Sequence, residues 1–380
     1  MNGAEHMQQR RVVKSAFSKH AITGYRDVVQ KLTDDMLADW KVGQVRDLSS
    51  DMTRLMLRIT SSILFGMKRP EMAFELGEMI HKWVQLNHEV GPSVFLSQDD
   101  SYQRYERLLN DSKQLETQVK QLLSERRHEA AADNDMLSLL IQSHLAGEGI
   151  SEDQLIGQTA LLFAAAHMTT AHSLLWTLFL VAQHPEVAEQ LDAEFENLTE
   201  LPEDGSLLAS PLLIDRVIRE SLRILPASAY SQRIAQQDVT LGNAMLPRGS
   251  IVIFSQFMTH RWEAIYSEPS RFLPDRWLTI KPSPYEYLPF GGGSRLCLGS
   301  TLALSIMRSV LPSIWRRFRL SSVPHSEVSA LVVSTMLGPT TSVPMQLHAA
   351  GTPTETRSLR GNLPELVNFP ITRQATYRAA

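Results

Sequence analysis

The chain's only cysteine, Cys297, lies in the run Phe290-Gly291-Gly292-Gly293-Ser294-Arg295-Leu296-Cys297-Leu298-Gly299. Glycines on both sides let the backbone turn tightly and come close to a flat ligand. Their amide N–H groups can also point at the sulfur and tune a metal thiolate. Arg295, two residues away, can reach an anionic group on the same ligand, and Leu296 and Leu298 would exclude water. A Gly-rich turn alone could cradle phosphate, but the Gly-Lys-Ser/Thr ending of a phosphate loop is absent from this run. One cysteine excludes an internal disulfide framework and a multi-cysteine zinc site. A lone cysteine is most often a small buried hydrophobe, so the neighbours decide its role. A second chemical pair is Glu220 and Arg223, three apart and hence on one helix face.

Most of the chain reads as helices that would position these groups. Met52, Leu55, Met56, Ile59 and Ile63 recur at helical spacing after the capping candidates Asp47 and Ser49, and Gly66 closes the pattern. Further helices are expected over roughly 21–40, 71–90, 101–129 and 135–146. From Leu155 to Gln183 there is no Asp, Glu, Lys or Arg, a length sufficient to span a bilayer. Gln158, His167, Thr169, Thr170, His172 and Ser173 crowd its centre and no basic cluster flanks it, which favours a helix buried in protein. That helix opens with the capping box Ser151-Glu152-Asp153-Gln154 and stops before Pro185. Another is expected to open at Ser210-Pro211 and to carry Glu220 and Arg223.

Beyond Pro226 the pattern changes to short strands, at 238–241, 249–253 and 343–347, divided by Gly, Pro and Asn. Residues 351–380 are polar with no clear period and read as a poorly ordered tail. The body, 1–350, contains no repeat and no dividing linker, so it reads as one mainly α domain with small β-sheets. A formal charge of −4 gives no reason to invoke nucleic acid or an anionic membrane. The N-terminal residues contain no apolar run of a signal peptide.

The Phe290–Gly299 run matches F-x-x-G-x-R-x-C-x-G, and so resembles the haem-binding signature of cytochromes P450 at every fixed position. Glu220-Ser221-Leu222-Arg223 fits that family's E-x-x-R, and Pro269-Ser270-Arg271-Phe272 resembles its later P-E-R-F segment. The resemblance implies that Arg271 joins Glu220 and Arg223 in a buried ion network supporting the cysteine loop. His6 and Arg10, at i and i+4, resemble the family's H-x-x-x-R pair. It also implies a haem b held by Cys297, flanked by Phe290 and Gly299, with propionates neutralised by His6, Arg10, Arg233 and Arg295. Ala165-Ala166-His167-Met168-Thr169-Thr170 is similar to the oxygen-activation motif, which makes Thr169 the alcohol that bonds iron-bound oxygen. Here Met168 replaces an acid, and a thioether carries no proton. His167 is about 100° round the helix from it. Substrate contacts are implied at Leu162, Ala165, Ala227, Tyr230, Met336 and Leu337.

The implied activity is a monooxygenase of secondary metabolism acting on an apolar small molecule such as a terpenoid or lipid. It would use O2 and electrons from NAD(P)H, delivered by a ferredoxin or reductase, in the cytoplasm. Two alternatives stay open, a haem isomerase, dehydratase or coupling enzyme and a haem-binding remnant without activity. The resemblance covers about residues 3–348, without the first helices and leading strands that the family places ahead of the His6 helix.

Overall fold

In the computed structural model, residues 2–93, 98–126, 135–147, 150–198 and 210–370 are described. The first elements are helices α1 (Gly3–Lys14) and α2 (Lys19–Ala38), a short strand β1 (Val45–Asp47) and helix α3 (Leu48–Phe65). Then follow α4 (Pro70–Ser93), α5 (Gln98–Arg126), α6 (Met136–Leu145), α7 (Glu152–Ala182), α8 (Pro185–Asn197) and α9 (Leu213–Ile224). Strands β2 (Ser231–Ile234), β3 (Val239–Leu241), β4 (Ala244–Leu246) and β5 (Ile251–Phe254) come next, with single helical turns α10 (Gln256–Thr259) and α11 (Arg276–Thr279). Helix α12 (Ser300–Trp315) precedes β6 (Phe318–Ser322), β7 (Ala330–Val333), β8 (Met336–Pro339), β9 (Pro344–Ala349) and the turn α13 (Leu363–Leu366).

Two compact units result. One holds Met1–Trp40, Ser50–Ala171 and Leu298–Ser313; the other holds Lys41–Ser49, His172–Cys297 and Ile314–Ala380. The unit boundaries fall inside α3, α7 and α12 as well as in loops, so no linker marks them in the sequence.

The described part of the first unit is helical. Met52, Leu55, Met56 and Ile59 of α3 are all buried, as their spacing requires. Arg126, at the end of α5, donates to the Phe65 carbonyl, to Asp135 and to Ser138. Asp135 in turn caps α6 by accepting from the Ser138 amide at 3.0 Å. Helix α7 starts on the expected capping box: the Gln154 amide donates to Ser151 Oγ, and the Ser151 amide donates to Gln154 Oε1. Among the described residues no helix is long and apolar enough to cross a membrane.

The second unit holds the sheets. Strands β1, β9 and β6 form an antiparallel sheet in the order β1-β9-β6, with Arg46 opposite Met345 and Leu320 opposite Leu347. Met345 and Leu347 alternate inward along β9 and are fully buried. Three two-stranded ribbons, β2–β5, β3–β4 and β7–β8, are the other sheets among the described residues.

Two expectations are corrected here. Helix α9 begins at Leu213, not at Ser210-Pro211. The carboxylate of Glu194 on α8 accepts from the Leu213 and Ile214 amides, so a distant acid does the work of a local cap at the positive helix end. The tail is also more ordered than its composition suggests. Leu363 and Val367 are fully buried, and the Asn362 side chain bonds both the amide and the carbonyl of Ala330. Residues 371–380 lie outside the described residues.

Replacing Glu194 by Ala should therefore lower stability by about 1–2 kcal/mol, the worth of a charged cap on two amides. Urea unfolding of the variant checks this.

Candidate functional site

The cysteine loop is built by two left-handed glycines, Gly291 (φ 71°) and Gly293 (φ 65°), a conformation that side chains with a Cβ resist. The Gly291 amide donates to the Leu288 carbonyl at 3.0 Å, and the Cys297 amide returns to the Phe290 carbonyl at 2.9 Å. Between them Gly293–Arg295 forms one 3-10 turn. The loop thus brings Phe290 and Cys297 together and leaves the Cys297 side chain exposed on its unit, with Leu296 beside it and also exposed. The thiol is not the small buried hydrophobe that a lone cysteine commonly is. Arg295 is exposed on the same turn, and Arg233 is exposed on β2, opposite Val252 of β5.

His6, Arg10, Leu162, Ala165, Thr169 and Gly299 belong to the other unit. His6 and Arg10 lie one turn apart on α1, each half-buried. Gly299 precedes α12, its carbonyl accepting from the Ala303 amide at 2.8 Å. Thr169 is half-buried on α7, and its hydroxyl donates to the Ala165 carbonyl one turn back at 2.7 Å. Leu162 and Met168 are half-buried and Ala165 is exposed on the same helix.

Behind the cysteine loop, in its own unit, stands a buried ion network. Glu220 and Arg223 on α9 are both fully buried. Arg223 Nε and Nη2 donate to the two Glu220 oxygens at 3.0 and 2.8 Å. The Leu273 amide and Trp277 Nε1 also donate to that carboxylate. Its second guanidinium is Arg276, whose Nε lies 2.9 Å from Glu220 Oε1 and whose side chain is 5% exposed. Arg271 was expected in this place, and the structure overturns that. The Arg271 side chain is half exposed and pairs with Glu268, while its backbone carbonyl accepts from Arg223 and Arg276. A buried carboxylate demands a buried counter-charge, and Arg276 is the one that faces inward. The signal was present five residues further on, where Pro274-Asp275-Arg276-Trp277 has the order proline, acid, arginine, aromatic, with an acid where the earlier segment has Ser270.

The network reaches the cysteine loop through His260, a residue that sequence reasoning missed. Arg223 Nη1 donates to the His260 carbonyl. The His260 ring takes the Leu288 amide on Nε2 at 2.8 Å, and its Nδ1 bonds the Arg223 carbonyl at 3.1 Å. Nε2 is therefore an acceptor and Nδ1 a donor, the pattern of a neutral ring. Burial, reinforced by the Arg223 cation, lowers the His260 pKa to about 3. The Tyr287 hydroxyl donates to the Arg219 carbonyl, and the Tyr266 hydroxyl donates to that of Glu286, fastening the segment that enters the loop.

The expected substrate contacts on this unit also meet. Leu337 donates its amide to the Ala227 carbonyl, and Ser228 bridges to Met336. Ala227 and Leu337 are buried, which makes them part of the packing, whereas Tyr230 and Met336 are half-buried.

Among the described residues no group of three or more His, Cys, Asp or Glu is arranged to hold a metal ion. The donor set that is present is one accessible thiol, with exposed arginines on the same unit. Such a set fits an iron whose in-plane ligands come from a macrocycle with acidic substituents.

Comparison with known proteins agrees with that chemistry. The cytochrome P450 family profile matches residues 1–342. A cyclooctat-9-en-7-ol 5-monooxygenase of Streptomyces melanosporofaciens is 29% identical over 333 residues, covering 85% of this chain and 72% of the relative. A pentalenene oxygenase of Streptomyces avermitilis is 27% identical, covering 88% of this chain and 76% of its own length. Among solved structures, the retinoic acid-bound cyanobacterial CYP120A1 superposes with a TM-score of 0.78 at 21% identity, covering 91% of this chain and 79% of that one. The cytochrome P450DA heme domain gives 0.76 at 23%, covering 90% and 76%. These two show the fold.

Two predictions follow from the geometry. R276M should cost about 3–5 kcal/mol, because it strips a buried carboxylate of a counter-charge, whereas R271A should change stability by less than about 0.5 kcal/mol. Chemical denaturation of the two variants compares them directly. The second concerns pH. Burial lowers the pKa of His172 and His184 to about 4 and that of His260 to about 3, against 6.5 for a free imidazole. Below pH 6.5 the unfolded chain takes up protons at these positions that the folded chain refuses, so folding stability is full above that pH. It should fall steadily on acidification from about pH 6.5 to about 4, which urea midpoints measured across that range test.

Proposed function

Because the chain belongs to the cytochrome P450 family, we propose that this oxidoreductase is a haem-thiolate monooxygenase of apolar small molecules. The observation that carries the reading is the exposed Cys297, held on a glycine turn whose approach is fixed by the Glu220 network. Cys297 would bind the iron of a haem b between Phe290 and Gly299, and His6, Arg10, Arg233 and Arg295 would neutralise its propionates. The haem, when bound, supplies the activation of O2, favoured by an electron-donating thiolate. The overall balance is substrate, O2, NAD(P)H and a proton giving hydroxylated product, water and NAD(P)+. The electrons would come through a ferredoxin or reductase in the cytoplasm.

The protein's own residues do the rest. The Cys297 amide is bonded within the loop, so the turn keeps its shape whether or not the sulfur carries charge. Thr169 holds a proton on Oγ1 and keeps lone pairs with which to accept from water, which suits it to orient a proton donor. Tyr230, Met336, Leu162 and Ala165 would meet the substrate, over the packing supplied by Ala227 and Leu337. The names of the two Streptomyces relatives favour a terpenoid.

The expected result is that reduced, CO-treated protein shows the thiolate-haem absorption band and that C297A abolishes it while the chain stays folded. Retention of the band in C297A would overturn the ligand assignment. Turnover independent of NAD(P)H would replace oxygen insertion by an isomerase, dehydratase or coupling reaction.

A further inference from the structure

Residues 363–369 lie beyond residue 342, where the match to the family profile ends, and the chemistry above gives them no task. Leu363 and Val367, four apart, are fully buried and seat the turn α13. At Val367 the backbone becomes extended (φ −137°, ψ 125°). The Asn368 amide then donates to the Ser270 carbonyl at 2.8 Å, and Asn368 pairs with Arg271 as a parallel bridge. The Phe369 ring stands 5.8 Å from the ring of His184, which also lies 4.9 Å from that of Phe272. The C-terminal segment is thus laid along residues 270–272.

Arg261, the residue after His260, grips the same segment. Its Nη2 donates to the Ile224 carbonyl at 2.7 Å and to the Leu366 carbonyl at 3.1 Å, while its guanidinium lies 3.6 Å over the Phe257 ring. Ile224 closes α9, where the last carbonyls lack helical partners and favour a cation. One nitrogen therefore ties the end of the helix that carries Glu220 and Arg223 to the C-terminal turn.

Both contacts act on groups that hold the cysteine loop. Ser270 precedes Arg271, whose carbonyl accepts from Arg223 at 3.0 Å and from Arg276 at 3.3 Å. Arg261 follows His260, whose ring takes the Leu288 amide ahead of the loop. Residues 261–275 form neither helix nor strand, so no ladder shares the load when one of these hydrogen bonds is lost.

We propose that residues 363–369 and Arg261 form a clasp that holds His260 and the Ser270–Arg271 segment in place and thereby positions the Cys297 loop. The inference rests on the haem reading. Arg261 and Asn368 are positioning residues, acting through the backbone of their neighbours.

The test uses the full haem-loaded chain with N368P, N368A, R261M and E194A. Proline at 368 removes one N–H, and the extended Val367 before it suits a proline. N368A keeps that N–H and loses only an exposed side chain. R261M fills space without a donor. E194A weakens the other end of α9 and controls for general instability. The first reading is the rate at which reduced, CO-treated protein loses its thiolate-haem band. N368P and R261M should raise that rate about fivefold, the worth of one hydrogen bond, while N368A and E194A stay within about twofold of the wild type. The second reading is amide hydrogen exchange over residues 286–291, which should rise in N368P and R261M alone. Equal band loss in N368P and N368A, or in R261M and E194A, would overturn the proposal. So would an unchanged rate of band loss, or unchanged exchange, in N368P and R261M. Should N368P fail to fold, R261M carries both readings. If the wild type lacks the thiolate-haem band, the haem reading fails, and the exchange comparison alone decides whether the clasp orders the loop.

Discussion

A carboxylate with no exposed surface is the constraint on which the second unit depends. Glu220 accepts from two side-chain cations, an indole and a backbone amide, leaving its charge buried but satisfied. The two guanidiniums carry more N–H groups than one carboxylate can take. The surplus goes to the carbonyls of His260, Ser267, Glu268, Pro269 and Arg271. Those residues lie where the chain has little helix or strand. Their backbone acceptors are satisfied by arginine instead of a ladder, which is how an irregular segment becomes a defined one.

From there the order passes to the cysteine loop by hydrogen bonds of fixed sense. Arg223 grips the His260 carbonyl, and His260, kept neutral by burial, offers Nε2 to the Leu288 amide. The Leu288 carbonyl then receives the Gly291 amide, the first left-handed residue of the turn. A protonated His260 would present N–H to N–H at Leu288 and break the chain. The depressed pKa of that imidazole is thus part of how the loop keeps its shape.

The sequence made some of this legible and hid the rest for physical reasons. The Cys297 loop, the Glu220–Arg223 pair and the Ser151 capping box are local patterns, each complete within ten residues, and each was recognisable. Arg276 was missed because the residue facing Glu220 is chosen by tertiary burial, and Arg271 offered a similar local pattern a few residues earlier. The start of α9 was misplaced for the same reason, since its cap comes from Glu194 on another helix. Residues 351–370 carry no period because they are held by single anchors. Leu363, Val367 and Asn362 fasten the segment without any repeating element.

The uncharged helix α7 shows how a general device becomes a particular one. Thr159, Thr169 and Thr177 each donate a hydroxyl to the carbonyl four residues back, which lets a long apolar helix carry alcohols without unsatisfied donors. Thr159 and Thr177 are buried in that state and bring no alcohol to the surface. Thr169 has the same bond but is half-buried, so its hydroxyl can exchange the Ala165 carbonyl for an outside partner at little cost. What distinguishes Thr169 is therefore its exposure and not its local geometry. The same reasoning explains why Met168 beside it matters: with no acid on this stretch, the exchangeable protons here belong to hydroxyls and imidazoles.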